Sequence, residues 1–223
     1  MLFLNKVKER YNDLENIFEI GAHRGHDIKH IVEAFPESNI YAFEADPFNY
    51  DICVENCKEF SNVKVYNLAV YDSNTKMTFN RFCDIQTIPD SETFKGSNLQ
   101  STGCGSLHKP GVGLKNIYRI KDVVEEIEVD AITLESFCSE NNINSIDAIF
   151  MDVQGAEMNV IRGCHSMIES VKALILEWST KYTLYENETD FIWIKSHLES
   201  NNLSEVAREY QLQGINGDSL FLR

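Results

Sequence analysis

The chain of 223 residues is short of positive charge and of long apolar runs. It has 20 lysines and arginines against 35 acidic residues, which gives a formal net charge of −15 at pH 7. Nucleic acids and anionic membrane surfaces bind basic faces, so this balance argues against either partner. No stretch approaches the roughly 20 apolar residues of a membrane span, and the apolar run at residues 1–4 is too short for a signal peptide. We therefore expect a cytoplasmic protein without membrane insertion.

The chain also lacks paired cysteines. Because there is no CxxC pair and no histidine at ligand spacing, we expect neither a zinc site nor a disulfide framework, and reduced thiols favour the cytoplasm. A divalent metal ion is neither required nor excluded by the spacing of the other acids and histidines. The six cysteines are scattered: Cys53, Cys57, Cys83, Cys104, Cys138 and Cys164.

Apolar strand-like runs alternate with helix-like segments along most of the chain. This alternation implies a parallel sheet that is covered by helices on both faces. The end of the chain differs, because residues 204–211 and 218–223 predict an antiparallel hairpin. We expect one α/β domain over residues 1–223. Its predicted parallel strands are residues 16–20, 39–43, 63–70, 146–151 and 173–178.

A long segment interrupts this alternation between the third and fourth parallel strands. It has more than seventy residues, where a simple crossover needs about a dozen. In so acidic a chain, the reversal of charge within it is typical either of a solvated loop or of a lid that meets an anionic acceptor. We expect residues 76–128 to form an insert over the functional site. Residues 93–121 lack acids but contain Lys95, Lys109, Lys115, Arg119 and Lys121.

The stretch FEIGAHRG, residues 18–25, reads as an apolar strand that ends in a glycine turn. A dinucleotide fingerprint needs glycines at the first, third and sixth positions of the turn. The third and sixth positions are histidines here, which disfavours a nicotinamide-dependent oxidoreductase. Gly21 and Gly25 still let backbone amides approach a polar ligand at a helix N-terminus. Glu19 beside them suits an ammonium group, so a ligand with an ammonium and a carboxylate, such as a methionine moiety, fits best.

Glu44 ends the second strand, in the stretch IYAFEADP. In doubly wound folds, an acid at this point accepts hydrogen bonds from both hydroxyls of a ribose. The alternative is a surface acid before a turn, but strand ends line the ligand crevice of such sheets, so we favour the ribose role. The third strand ends in YNLAVYD, where Ala69 and Asp72 are placed to border an adenine.

The fourth strand carries the most specific motif, IDAIFMDVQGAEMNVIRG at residues 146–163. It places Asp152 at a carboxyl end in the centre of the sheet, followed by a turn at Gln154 and Gly155. Glu157 lies in the first turn of the next helix, where an acid often only complements the helix dipole.

Taken in this order, GAHRG, AFEADP, NLAVYD, GCGSL and DVQGAE…IRG resemble the FkbM family of S-adenosylmethionine-dependent methyltransferases. The resemblance covers residues 17–178, and its last motif is the most distinctive. It implies a doubly wound seven-stranded sheet with strand order 3-2-1-4-5-7-6, and methyl transfer usually to an oxygen. By this resemblance Glu19, Gly21 and Gly25 match the methionine-side loop, Glu44 the ribose acid, and Asp152 with Glu157 the acidic motif. We expect the S-adenosylmethionine contacts to come from Glu19, Gly21, Ala22, His23, Gly25, Glu44, Ala45, Ala69, Ser106 and Asp152.

The chain departs from the usual pattern of that family at four positions. The family often has asparagine at His23, proline at Ala45, lysine at Phe150 and glutamate at Gln154. These departures leave the cofactor site intact but leave the acceptor open. If residue 150 lies near the site, a cation is missing there.

The chemistry needs few protein groups, because the sulfonium of the cofactor is already an activated methyl donor. The protein must align the acceptor and exclude water, and an alcohol acceptor also needs a base or a metal. Asp152 is the first candidate base, although it could instead cap the following turn or bind the ammonium of the cofactor. Glu177, at the end of the fifth strand, and His108, in the insert, are further candidates.

A sugar hydroxyl, on a glycan or a nucleotide-linked sugar, is the leading acceptor class, and it rests mainly on the family resemblance. Exposed aromatic rings after Glu177 would suit the apolar face of a sugar. A non-catalytic nucleoside-binding protein would keep Glu44 and the glycine turn without a base, so it stays an alternative. The aromatic residues of this segment are Trp178, Tyr182, Tyr185, Phe191 and Trp193.

Overall fold

A computed structural model describes residues 3–81, 103–117, 125–180, 184–211 and 214–223. The strands are β1 (Asn16–Ile20), β2 (Asn39–Phe43), β3 (Val63–Tyr66), β4 (Ala69–Val70), β5 (Thr75–Arg81), β6 (Glu125–Ile132), β7 (Ala148–Met151), β8 (Ala173–Ser179), β9 (Ser204–Gln211) and β10 (Asn216–Leu222). The helices are α1 (Leu4–Arg10), α2 (His26–Ala34), α3 (Pro47–Cys57), α4 (Val112–Ile117), α5 (Leu134–Glu140), α6 (Glu157–Gly163) and α7 (Phe191–Ser200), with a short 3-10 helix at His165–Ser170.

The main sheet has seven strands in the order β3-β2-β1-β7-β8-β10-β9. The first five strands in this order are parallel to one another: β3, β2, β1, β7 and β8. Strand β10 is antiparallel to both of its neighbours, β8 and β9. Numbered along the chain within this sheet, the order is 3-2-1-4-5-7-6, which confirms the predicted doubly wound fold and the closing hairpin. The order reverses between β1 and β7, and ligands bind at such a reversal in open α/β sheets.

Apolar side chains alternate between the two faces of the sheet, so each face carries its own core. Phe18 and Ile149 belong to a cluster that packs against Phe137 of α5 on one face. Their strand neighbours Ile17 and Phe150 belong to a second cluster, against α1 and α2, on the other face. Buried parallel strands between two helical layers are therefore apolar on both sides, which explains their continuous apolar sequences.

The third parallel strand ends earlier than the sequence predicted. It stops at Tyr66, because the side chain of Asn67 turns to donate to the carbonyl oxygens of Glu44 and Ala45 at 2.9 and 3.1 Å. Ala69–Val70 then pairs in parallel with β6, in a separate sheet of order β4-β6-β5. The predicted strand 63–70 thus contributes to two sheets.

Several contacts fasten the described part of the insert to the main domain, and two of them lie on opposite sides of the insert. Arg81 at the end of β5 makes a bidentate ion pair with the buried carboxylate of Asp46. The same carboxylate caps α3 by accepting from Phe48 N at 2.9 Å. On the other side, the N–H of Gly111 donates to the carbonyl of Leu184 at 2.7 Å. The insert therefore connects the β2 side of the sheet with the segment that follows β8. No helix within the described ranges is long and apolar enough to cross a membrane.

Candidate active site

A cavity of about 230 Å³ lies where the carboxyl ends of β1 and β7 meet. Its walls come from the ends of β1, β2 and β7, and from Phe79, Gly103, Gly105 and Leu107 on the insert side. Eight of the ten residues that the sequence assigned to the cofactor line it: Glu19, Gly21, Ala22, His23, Glu44, Ala45, Ala69 and Asp152.

Gly21 is the residue that allows β1 and β7 to meet so closely. Its φ is +84°, and a Cβ built there would lie 1.9 Å from the carbonyl oxygen of Asp152. Gly25, by contrast, does not line the cavity. It caps α2 with φ +76°, and a Cβ there would lie 3.0 Å from the sulfur atoms of both Cys53 and Cys57. One glycine thus shapes the cavity, and the other packs α2 against α3.

Glu19 presents a buried carboxylate to the cavity, and its Oε2 has no hydrogen-bond partner within the described structure. Burial raises the pKa of Glu19 well above its ordinary value, and the charges of Asp27 and Asp152 raise it further. An unpartnered buried carboxylate is costly. A cationic ligand group at this point would both supply the missing partner and stabilise the charged form.

Glu44 is buried but fully supported by the backbone. Its Oε2 accepts from His23 N at 2.7 Å and its Oε1 from Asp46 N at 2.8 Å. Burial raises the pKa of Glu44 to about 7, although these two hydrogen bonds oppose the rise. A carboxylate has about four acceptor positions, so each oxygen can still accept one hydroxyl from a ligand in the cavity. This geometry suits the two hydroxyls of a ribose.

Asp152 and Glu177 form a pair that is bridged by one amide. Nε2 of Gln154 donates to Oδ1 of Asp152 and, at 2.9 Å, to Oε2 of Glu177. Desolvation raises the pKa of Asp152 in this recess, although its side chain is exposed to the open cavity, and hydrogen bonds from Gln154 and Glu177 oppose the rise. Of the three predicted catalytic residues, Asp152 alone lines the cavity.

Glu177 lies behind Asp152 as seen from the cavity, in a small concavity next to Glu157, Tyr185 and Glu188. Burial raises the pKa of Glu177 well above its ordinary value, and the charge of Asp152 and a hydrogen bond between the two carboxyls raise it further. Burial thus disfavours the charged form of both carboxyls, and Asp152 is the one of the two that lines the cavity. Glu157 accepts from Gly155 N at 3.0 Å, and burial raises its pKa to about 7.

Ser106 and His108 do not line the cavity. Ser106 is buried, with its hydroxyl donating to the carbonyl of Gln154 at 2.7 Å and accepting from His108 N at 2.9 Å. His108 is buried edge-on to Tyr71, with ring centroids 6.5 Å apart, and burial lowers its pKa. Ser106 therefore supports the turn after β7 from the insert side.

The sequence did not identify several residues that line the cavity. His26, Asp27 and Asn49 come from the first turns of α2 and α3, so their signal was their position just after the glycine turn and after Pro47. Phe150, where the family resemblance suggested a missing cation, is buried in the core and does not line the cavity. That departure has no direct effect on the site.

The basic side chains of the insert that are described do not reach the cavity. Nζ of Lys109 lies 3.7 Å from an oxygen of Glu126, with both side chains exposed, and Lys115 is exposed on α4. Lys95, Arg119 and Lys121 lie outside the described residues, as do Cys83 and Tyr182. Within the described part of the chain, no group of three or more His, Cys, Asp or Glu residues could hold a metal ion.

Comparison with known proteins gives a consistent set of relatives. A family model described as the methyltransferase FkbM domain matches residues 19–203. A curated protein named 2-O-methyltransferase NoeI, from Sinorhizobium fredii, is 28% identical over 204 residues, which cover 92% of this chain and 77% of that protein.

Solved structures share the fold at low identity. The protein PH1948 from Pyrococcus horikoshii superposes with a TM-score of 0.50 and 10% identity, over 99% of this chain and 81% of that one. A fibrillarin/Nop5p complex gives a TM-score of 0.50 and 12% identity, over 94% of this chain and 72% of that one. At these identities the comparison concerns the fold alone.

Proposed function

The chain belongs to the FkbM methyltransferase family, and from this premise we propose that it methylates a hydroxyl oxygen of a sugar. It is an S-adenosylmethionine-dependent methyltransferase, which sets aside a non-catalytic nucleoside-binding protein and a nicotinamide-dependent oxidoreductase. The finer proposal concerns the atom that receives the methyl group and the molecule that carries it. We further propose a cytoplasmic setting, since the five described cysteines are free thiols.

The residues of the cavity fit the methyl donor. The unpartnered Oε2 of Glu19 would bind the ammonium of the methionine moiety, beside the backbone that Gly21 leaves open. Glu44 would accept from the ribose hydroxyls with the acceptor positions that His23 N and Asp46 N leave free. Ala69, with Leu68 and Phe79, gives the cavity an apolar wall that suits an adenine. When bound, the cofactor supplies the activated methyl group.

The position of Asp152 in the cavity is the observation that best supports oxygen as the acceptor atom. An alcohol is a weak nucleophile and needs its proton removed as the new bond to carbon forms. Asp152 lines the cavity whereas Glu177 lies in the concavity behind it, so Asp152 is the carboxylate that can reach an acceptor hydroxyl as a base. The proton would pass from the acceptor hydroxyl to Asp152, and the methyl group would pass from sulfur to that oxygen.

The curated relative is named a 2-O-methyltransferase, which supports oxygen as the acceptor atom and does not name the molecule that carries it. A sugar as the carrier is supported by Trp193 in the first turn of α7, which is 67% exposed, because an exposed indole ring suits the apolar face of a sugar. Trp178, Tyr185 and Phe191 are buried, so they are core residues rather than candidate sugar contacts.

The test is a panel of acceptors incubated with the enzyme and S-adenosylmethionine that carries an isotope-labelled methyl group. The panel contains free monosaccharides, oligosaccharides, nucleotide-linked sugars, and matched deoxy sugars that lack one hydroxyl each. We expect a mass gain of one labelled methyl group on a sugar and its loss for one deoxy analogue. Transfer only to nitrogen or sulfur nucleophiles offered in parallel would contradict the proposal. Trp193→Ala should raise the KM of the sugar without changing cofactor binding.

A further inference from the structure

Gln154 occupies the junction between the cofactor cavity and the concavity that contains Glu177, and it lines both. Its φ is +54°, and that of Gly155 is +98°. A non-glycine residue with positive φ is uncommon and is kept only where its surroundings determine it. A Cβ on Gly155 would lie 2.8 Å from the Cβ of Tyr185. The turn is thus held in one conformation by contacts on both sides.

All polar groups of the Gln154 side chain are in use. Nε2 donates to Asp152 and Glu177, and Oε1 lies 2.5 Å from the hydroxyl of Tyr185, which can donate to it. Carboxylates accept and an amide nitrogen donates, so these neighbours also fix which end of the amide faces the acids. The backbone carbonyl of Gln154 accepts from Ser106 at 2.7 Å. The side chain therefore has no freedom to turn away.

The described donors to this carboxylate pair are neutral amides rather than cations. Gln154 donates to both acids, and Nδ2 of Asn216 donates to Oε1 of Glu177 at 3.2 Å. The carboxyls around the pair add negative charge when ionised, and the phenol of Tyr185 is neutral because burial raises its pKa. The carboxyls are Glu19, Asp27, Glu44, Glu157, Glu188 and Asp218, and His23 and His26 line the same cavity as Asp152.

We propose that Gln154 is a positioning residue that holds Asp152 and Glu177 as one unit, with Asp152 toward the cavity and Glu177 behind it. The consequence for catalysis rests on the proposed function, in which Asp152 takes the proton of the acceptor. The amide lets two carboxyls approach without adding a third charge. A glutamate at position 154 would instead place three carboxyls within hydrogen-bonding distance, and one more proton would be retained among them.

The experiment measures the titration of Asp152 by carbon NMR of protein labelled at the side-chain carboxyls, with Asp152→Asn to assign its signal. Gln154→Glu should raise the apparent pKa of Asp152 by about one unit or more. Gln154→Met keeps the length and removes the donated hydrogen bonds, so it should raise that pKa by a smaller amount. The second variant also serves if the first does not fold.

Asn159→Asp is the matched control. Asn159 lies on α6, donates to a carboxylate oxygen of Asp72 at 2.7 Å, and does not line the cavity. This variant should leave the titration of Asp152 unchanged. An unchanged titration in both Gln154 variants, or a shift of equal size in the control, would overturn the proposal. These titrations contain no acceptor, so failure of every sugar in the panel would reject the proposed function without affecting their outcome.

Discussion

The two ends of the cavity are built in different ways. At the cofactor end, the backbone determines the shape of the site. Gly21 leaves no side chain between β1 and β7, and the backbone N–H groups of His23 and Asp46 donate to Glu44. At the proposed acceptor end, side chains are held by hydrogen bonds from other side chains, and the bond from Gln154 to Glu177 joins residues 23 positions apart. A backbone-built site tolerates changes of neighbouring side chains, whereas a side-chain network depends on every member. We therefore expect substitutions at one end to impair cofactor binding and substitutions at the other end to impair turnover, each without the other effect.

The largest effect should come from Gly21→Ala at the cofactor end. The added Cβ would lie 1.9 Å from the carbonyl of Asp152 at a φ of +84°, so either the loop or the end of β7 must move. We expect a loss of at least about 3 kcal/mol in the free energy of unfolding, and no measurable binding of S-adenosylhomocysteine. Denaturant titration and calorimetry measure the two. Gly103→Ala, with no atom within 4 Å of its Cβ, should be as stable as the parent protein, and equal losses in both variants would contradict the assignment.

Asp152→Asn should affect the acceptor end alone. Removal of a general base typically lowers the rate by about 10²-fold or more, while the cofactor loses no contact that Glu19 and Glu44 supply. We expect kcat with the identified acceptor to fall by that factor, and the affinity for S-adenosylhomocysteine to change less than about threefold. Asp130→Asn, at an exposed acid of β6, is the control. Normal turnover in Asp152→Asn would move the search for the base to Glu177.

Glu44→Gln should affect the cofactor end alone, and by a smaller factor. The amide would direct one N–H group at His23 N or Asp46 N, both of which are donors, and it would leave one ligand hydroxyl without an acceptor. Two hydrogen bonds to a charged group are worth about 1.5 kcal/mol or more each, so affinity for S-adenosylhomocysteine should fall more than tenfold. Glu128→Gln, at an exposed acid, should bind normally. Calorimetric affinities that match in the two variants would exclude Glu44 from ribose binding.

The cofactor end of the cavity could be predicted from the sequence to a greater extent than the side-chain network at the other end. Glycines and strand-end acids act on their immediate neighbours, so Gly21, Glu44 and Asp152 were predictable from local patterns. The contacts of Gln154 with Tyr185 and Glu177 depend on how distant segments pack, and no local pattern encodes them. Residues 63–70 divide between two sheets because the side chain of Asn67 bonds to the backbone of Glu44 and Ala45. The sequence does not indicate this break, because the residues around Asn67 read as one continuous apolar strand. Ser106 and His108 were predicted from a motif, and their buried positions come from tertiary packing.

The pH dependence of the ligand-free protein tests the buried acids of both ends together. Burial raises the pKa of Glu44 and of Glu157 from 4.5 to about 7. Between these values the folded state binds more protons than the unfolded state, so stability falls as pH rises through this window, by about 3 kcal/mol for each group. Denaturant titrations from about pH 5 to about pH 8 measure the slope, which should flatten in Glu44→Gln and in Glu157→Gln. Because the proposed ribose hydrogen bonds need the ionised form of Glu44, affinity for S-adenosylhomocysteine should rise from about pH 5 to about pH 8, by about a hundredfold at most.

The smallest effect should come from the basic residues of the insert. Lys109 and Lys115 are exposed and do not line the cavity, so they can act on an acceptor only through the local field, which has a Debye length of about 10 Å near 0.1 M salt. With a nucleotide-linked sugar as acceptor, replacing both by Gln should raise KM by about threefold or less and flatten its dependence on salt. Lys29 and Lys58, exposed on or just after the cofactor-side helices, give the matched double variant and should leave KM unchanged. Cofactor affinity should stay constant in both. If the free sugar is methylated as well as its nucleotide-linked form at every salt concentration, the basic residues of the insert have no part in acceptor binding.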